Sequence, residues 1–126
     1  LKRLKQAVEV RVKKHGHLIG LDGRQLSIRS EHSALNTLLQ SAGAVVMKQA
    51  LVTLFLNLGK MGWRHGNHYA FVANVHDEFQ AEVKPELADA FKTQATRALT
   101  EAGRALGMRC QLDGSCMIGN NWKETH

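Results

Sequence analysis

Proline occurs once in these 126 residues, at Pro85. Charged residues make up 22% and hydrophobic ones 44%, so polyproline linkers and low-complexity segments are excluded and a modest core is possible. Cysteine is scarce too. Cys110 and Cys116 flank QLDGS, with no C-x-x-C spacing and no second pair, which argues against a disulfide framework or a zinc site. Without an export signal, two reduced thiols are expected. Uninterrupted apolar runs are short: the longest, around Ala50 to Leu58, is broken by Thr53 and Asn57. It falls below the roughly 18 residues of a membrane span, and no membrane partner is expected. The chain opens on Leu1 instead of methionine, which reads as a fragment of something longer. Acidic residues are the last deficit, eleven against seventeen Lys and Arg, for a net +6 and a pI near 9.7. Such a surplus favours polyanionic partners through counterion release and steering, yet many small basic proteins bind nothing acidic.

The spacing of apolar residues predicts the elements. Leu1, Leu4, Val8 and Val12 share a helix face with lysines opposite. Leu18-Ile19 and Leu26-Ile28 are short strands around the hairpin signal Asp22-Gly23. Ser30 is placed to cap one long helix of about 28 residues, roughly 40 Å, buried through Leu35, Leu38, Leu39, Ala42, Val45, Val46, Leu54, Phe55 and Leu58. Its first half carries a polar stripe, Ser33, Asn36, Thr37 and Gln40. A hairpin follows, with Tyr69, Phe71, Ala73 and Val75 expected on one side. Pro85 opens a second helix buried through Ala88, Phe91, Ala95, Ala98, Leu99, Ala102 and Leu106. A last hairpin is expected around Asp113-Gly114. The order implies an α+β domain over residues 1–126, an antiparallel sheet of hairpins with one long and one medium helix packed on it.

The centre of that middle hairpin, FVANVHDEFQAEV, is unusual. His76, Asp77 and Glu78 occupy it with no glycine or proline. A solvated turn is the ordinary explanation for adjacent carboxylates. Against it stand the apolar strands on both sides, which would hold the tip rigidly, and the basic character of the surrounding chain. Hard cations such as magnesium want carboxylate oxygens on a stiff scaffold and keep waters and phosphates as other ligands. A two-metal site would need a further carboxylate from elsewhere.

VHDEFQ resembles the last catalytic motif of the family A DNA polymerases, where His-Asp-Glu sits at a palm hairpin. EHSALNTLLQSAGAVVMKQAL is similar to the family's long palm helix, in which a basic residue, an asparagine and a glutamine recur at four-residue steps. GLDGR and the ending GNNWKETH resemble the phage replicative branch. The ordered set covers essentially the whole chain. The resemblance implies the C-terminal portion of a polymerase palm, in the cytoplasm of a bacterial or phage-infected cell. It implies that Asp77 binds catalytic Mg2+, two ions in the complete enzyme and none held stably by the fragment, with Glu78 in support. His76 would contact the primer end, and Asn36 and Gln40 the template–primer minor groove. His32, which stands where the family often has arginine, would contact DNA as well.

The resemblance also marks what this chain does not contain. No Asp-x-Ser motif precedes the His-Asp-Glu turn, where the family has the one that supplies the partner aspartate: Asp22 is followed by Gly-Arg, and Asp113-Gly114-Ser115, which has the form, comes after the turn. The helix carrying the lysine and arginine for the incoming dNTP is missing as well. Template-directed DNA synthesis is therefore expected of a longer parent, with primer-template DNA and dNTP as partners, and not of the fragment alone. Without the remainder of the polymerase chain, exposed apolar surface would favour self-association. Two rival classes are a non-catalytic basic nucleic-acid-binding module and a metal-dependent phosphoesterase recruiting Glu82, Asp113 or a neighbouring subunit.

Other residues carry weaker signals. His15 with His17, and His65 with His68, could ligate a metal but are better read as surface pairs lacking a third ligand. Trp63 and Trp122 could stack on bases, though a core plug is the commoner use. Lys2, Lys5, Lys13 and Lys14 could touch phosphates or simply solvate a helix face.

Overall fold

A computed structural model describes residues 2–125, so Leu1, read into the first helix, and His126, read into the terminal motif, lie outside the described residues. The chain forms two compact units, Leu1–Val45 and Val46–His126. Its class is α+β, but the hairpins do not join: each sheet has two strands of its own.

In the first unit, α1 (Lys2–His15) buries Val8 and Val12, one turn apart on a single face. Strands β1 (His17–Ile19) and β2 (Gln25–Ser27) pair antiparallel with Leu18 opposite Leu26. Val8, Val12, Leu18 and Ala34 make the core, with Leu26, Ile28, Leu35 and Leu38 packed against it. The turn expected at Asp22-Gly23 forms, fixed by an ion pair of 2.6 Å from Arg24 Nε to Asp22 Oδ2. Ser30 has the extended backbone of a cap, yet its side chain makes no cap hydrogen bond. Its hydroxyl donates to Ser33 Oγ at 3.2 Å, and a 3-10 turn, Glu31–Ser33, intervenes before the α-helix.

Helix α2 (Ala34–Lys60) is the expected long element, 27 residues that begin in the first unit and continue into the second. Its buried residues are fewer than the periodicity suggested. Ala34, Val46, Ala50, Leu54 and Leu58 are buried, whereas Leu39 and Phe55, expected inside, are more than half and half exposed at 57% and 50%. A helix this long presents more apolar circumference than the small layers beneath it can cover. The segment Glu31–Lys60 contains a window of mean hydropathy 1.4, long and apolar enough by length and composition to cross a membrane. Thr53 and Asn57 interrupt the run, as the sequence shows, and the core helix of a water-exposed domain meets the same length and composition. Helix α2 stops because Gly62 takes φ +80°, letting its N–H reach Gly59 and that of Trp63 reach the Leu58 carbonyl at 3.0 Å each.

The second unit builds on Leu54 and Leu58, both fully buried, together with Tyr69, Phe91, Ala95 and Ala98. Burying each leucine contributes about 1.5–3 kcal/mol. Strands β3 (Tyr69–Val75) and β4 (Glu78–Val83) pair antiparallel and lay Phe71, Phe79, Ala81 and Val83 on this core. A β-bulge between Phe71 and Ala73 changes the alternation: Phe71 pairs with Ala81, but Ala73 pairs with Gln80 and Val75 with Glu78. Cross-strand partners share a face. The bulge therefore turns Ala73 and Val75 to the face of Gln80 and Glu78, away from Phe71, where strict alternation had put them together.

Pro85 opens a 3-10 turn, Pro85–Leu87, that leads into α3 (Ala88–Ala105). Phe91, Ala95, Ala98 and Ala102 form its buried stripe as expected, joined by Gly103, while Ala88, Leu99 and Leu106 are half-buried. The last hairpin does not form; residues 111–119 contain no strand. That segment is seated on α3 instead. Thr100 Oγ1 donates to the Leu112 carbonyl at 2.8 Å, and Leu112 packs over the bare backbone of Gly103. Cys110 and Cys116 are free thiols, and burial pushes that of Cys116 above its ordinary value.

Candidate nucleic-acid and metal-binding site

The turn that joins β3 to β4 is two residues long, His76 and Asp77, between the directly paired Val75 and Glu78. Two-residue hairpin loops need a positive φ, which glycine or asparagine usually supplies. Here His76 supplies it at +54°, alone among the described non-glycine residues. Such a conformation costs of the order of 1 kcal/mol or more and persists where the surroundings fix it. Here the direct pairing of Val75 with Glu78 closes the turn, and further along the strands Phe71 and Phe79 meet ring edge to ring face at 5.9 Å.

The Asp77 carboxylate is exposed and engaged by no hydrogen bond or ion pair among the described residues. Glu78 differs. It is the first residue of β4, half-buried, and takes a long hydrogen bond of 3.4 Å from Gln80 Nε2. The two carboxylates are adjacent in sequence but differently committed, one in the turn and one in the strand. Among the described residues, no group of three or more His, Cys, Asp or Glu is placed to hold a metal ion. An exposed, unpaired carboxylate on a fixed turn suits one ligand position of a hard cation such as magnesium. It does not make a full coordination shell.

His32, Asn36 and Gln40 belong to the first unit, and His76, Asp77 and Glu78 to the second. His32 is exposed in the 3-10 turn. Asn36 and Gln40 are exposed one turn apart on α2, on a common face. Neither amide is used by a protein partner among the described residues, so both keep donors and acceptors to offer. Thr37, on the same stripe, is turned inward: its hydroxyl donates to the Ser33 carbonyl at 3.0 Å.

The histidine pairs are explained locally. His65 Nε2 accepts the N–H of Phe71 at 3.0 Å, and His68 Nδ1 accepts that of Arg64 at the same distance. Both rings therefore serve as acceptors that shape the loop ahead of β3. His17 Nδ1 lies 2.9 Å from the His15 carbonyl. Trp63 packs on the second core, stacked on His68, whereas Trp122 is half exposed.

The lysines of α1 separate into two kinds. Lys5 pairs with Glu9 at 3.9 Å and Lys13 with Glu31 at 3.2 Å. Lys2 and Lys14 have no carboxylate partner among the described residues, and neither do Arg3 and Arg11, which a reading confined to the lysines overlooks. The four-residue step from Lys5 to Glu9 was the available signal that Lys5 is committed.

The chain is similar to known proteins over most of its length. Residues 2–124 match the family DNA polymerase family A. The chain is 41% identical over 110 residues to the DNA-directed DNA polymerase of Enterobacteria phage T3, covering 85% of this chain and 16% of that protein. It is 42% identical over 118 residues to the DNA-directed DNA polymerase of Escherichia phage Phieco32, covering 88% and 19%. The fold is similar to the POL domain of Pol1 from M. smegmatis, solved in complex with DNA primer-template and dNTP. There the TM-score is 0.68 at 21% identity, over 80% of this chain and 19% of that one. The chain thus spans less than a fifth of the length of the relatives it matches.

Proposed function

The chain belongs to DNA polymerase family A, and from that membership we propose that it forms the C-terminal palm portion of a DNA-directed DNA polymerase that extends a primer 3′-hydroxyl on a template in the cytoplasm of a bacterial or phage-infected cell. The observation that carries the proposal is the exposed, uncommitted carboxylate of Asp77 on a two-residue turn. A group held there without a protein partner, beside a strained neighbour, is kept for something outside the chain.

Asp77 would hold magnesium ions together with a carboxylate from another segment of the parent. Once bound, such ions supply Lewis-acid activation of a hydroxyl and charge neutralisation at phosphate. The chain's own residues have simpler tasks. The β3–β4 pairing fixes where the Asp77 oxygens sit. Glu78 would support from the strand, and His76 would contact the primer end. Asn36 and Gln40 present amides to minor-groove acceptors, which occur in every base pair and report geometry instead of sequence. The isolated chain, with a single ligand-bearing turn, does not extend primers.

The test is Asp77→Ala in the full-length parent. Primer extension should fall by at least a factor of about ten while primer-template affinity stays within about twofold of wild type. A variant that keeps most of its extension rate removes Asp77 from the mechanism.

A further inference from the structure

The +6 charge is very unevenly spread. The first unit holds eight Lys and Arg against three Asp and Glu, a net of +5, and the second holds nine against eight, a net of +1. Within the first unit every acid is consumed by a neighbour: Glu9 by Lys5, Glu31 by Lys13 and Asp22 by Arg24. Five cations are left without a carboxylate among the described residues: Lys2, Arg3, Arg11, Lys14 and Arg29. Three of these, Arg3, Arg11 and Lys14, recur at helical spacing on α1 and share an exposed stripe separated by Ala7 and Val10. Along a helix, eleven residues span about 16 Å, close to the length of two or three phosphate steps of an extended strand. Arg11 also borders a shallow cavity of about 330 Å³ floored by Ala7, Val8, Leu18, Ile19 and Leu38.

We propose that this stripe is a sequence-independent binding site for the phosphate backbone of DNA, centred on Arg11 and separate from the Asp77 turn. Unpaired guanidinium and ammonium groups keep their full counterion atmosphere, which a polyphosphate strand releases on binding. Arg3 and Arg11 can each engage a phosphate through two N–H groups. The apolar floor beside Arg11 would receive a sugar edge or an unpaired base without leaving a polar group unsatisfied. The choice of DNA as the polyanion rests on the polymerase reading, and the location of the site on the charge pattern, which does not involve the catalytic turn.

The experiment compares two variants of equal charge in the 126-residue chain, both confirmed folded by circular dichroism. One carries Arg3→Gln, Arg11→Gln and Lys14→Gln; the other carries Lys84→Gln, Lys92→Gln and Arg109→Gln, all cations of the second unit. Affinity for a labelled 20-nucleotide thymidine strand and a 20-base-pair duplex is measured between about 50 and 200 mM salt. The first variant should lose roughly tenfold or more in affinity and lower the salt slope by about two to three, while the second changes less than about threefold. Equal losses in both variants would mean bulk charge and overturn the site. So would failure of the wild-type chain to bind either DNA, or binding to phosphatidylserine vesicles in place of DNA. None of these results bears on Asp77, whose role is read from extension by the parent.

Discussion

Val75 and Glu78 pair directly across the β3–β4 turn, so the two residues between them have almost no conformational choice. Glu78 is thereby held in the strand, its carboxylate reached by Gln80, while Asp77 is left in the bend with nothing among the described residues to neutralise it. The positive φ of His76 is part of that arrangement.

Replacing His76 by glycine separates strain from function. Glycine removes a backbone cost of about 1 kcal/mol and introduces an entropy cost of about 0.5–1 kcal/mol, so the two nearly cancel. Thermal unfolding of the 126-residue chain should change little. Primer extension by the full-length parent carrying His76→Gly should fall, because the imidazole is what has been removed. A large loss of thermal stability would instead make the side chain a structural element of the hairpin.

Asn36→Ala and Gln40→Ala should weaken the parent's hold on primer-template DNA by about three- to tenfold, the worth of one hydrogen bond. Acceptors in the minor groove are common to A·T and G·C pairs, so the loss should be the same for either pair at the primer end. A loss confined to one base pair, read from KM with matched templates, would assign these amides to direct sequence readout.

Much of this architecture could be read before any coordinates, for identifiable reasons. The hairpin tip at His76, Asp77 and Glu78 follows from the apolar strands on both sides, although Glu78 proves to be the first residue of β4, and the length of α2 follows from a three- and four-residue recurrence. The bulge at Val72 left no trace, because valine is as apolar as its neighbours and nothing in the alternation shows that one residue is unpaired. The final hairpin failed for a related reason. Asp113-Gly114 has the composition of a tight turn, but Leu112 gains more from packing on Gly103 and from the Thr100 hydroxyl than from strand pairing. At the site, composition announced the basic surplus, while its concentration in the first unit depended on where the units divide, and the identity of the unpaired cations on which carboxylates were already taken.

Glu101 gives stability a defined pH dependence. Asn57 Nδ2 donates to one of its oxygens at 2.8 Å and Arg97 Nε to the other at 2.7 Å. The Asn57 hydrogen bond, then that of Arg97, holds the carboxyl below its ordinary value. A lowered folded value means that this contribution is complete above the ordinary carboxylate range and fades as pH falls through the lower folded value. Urea midpoints of wild type and Glu101→Gln should therefore differ near neutrality and converge in acid. Asn57→Ala should cost about 1 kcal/mol at neutral pH, below the usual range for a bond to a charged group because Glu101 is partly exposed and screened by solvent. A difference that persists unchanged into acid would sever the link to ionisation.

Gly103 tests how the segment after α3 is held. In a helix interior, glycine to alanine ordinarily gains about 1 kcal/mol. At this position a Cβ would lie 2.8 Å from Leu112 Cγ and 3.3 Å from its Cβ, so the clash involves the root of the leucine as well as its tip. Leu112 cannot simply rotate away, because its carbonyl is tied to Thr100 at 2.8 Å. Gly103→Ala should then destabilise the chain by about 1–3 kcal/mol against the trend of helix propensity. Leu112→Ala removes the obstacle, and the double variant should be more stable than the sum of the single effects by about 1 kcal/mol in a double-mutant cycle. Additive effects would show that Leu112 does not rest on Gly103, and the missing hairpin would then need a different physical cause.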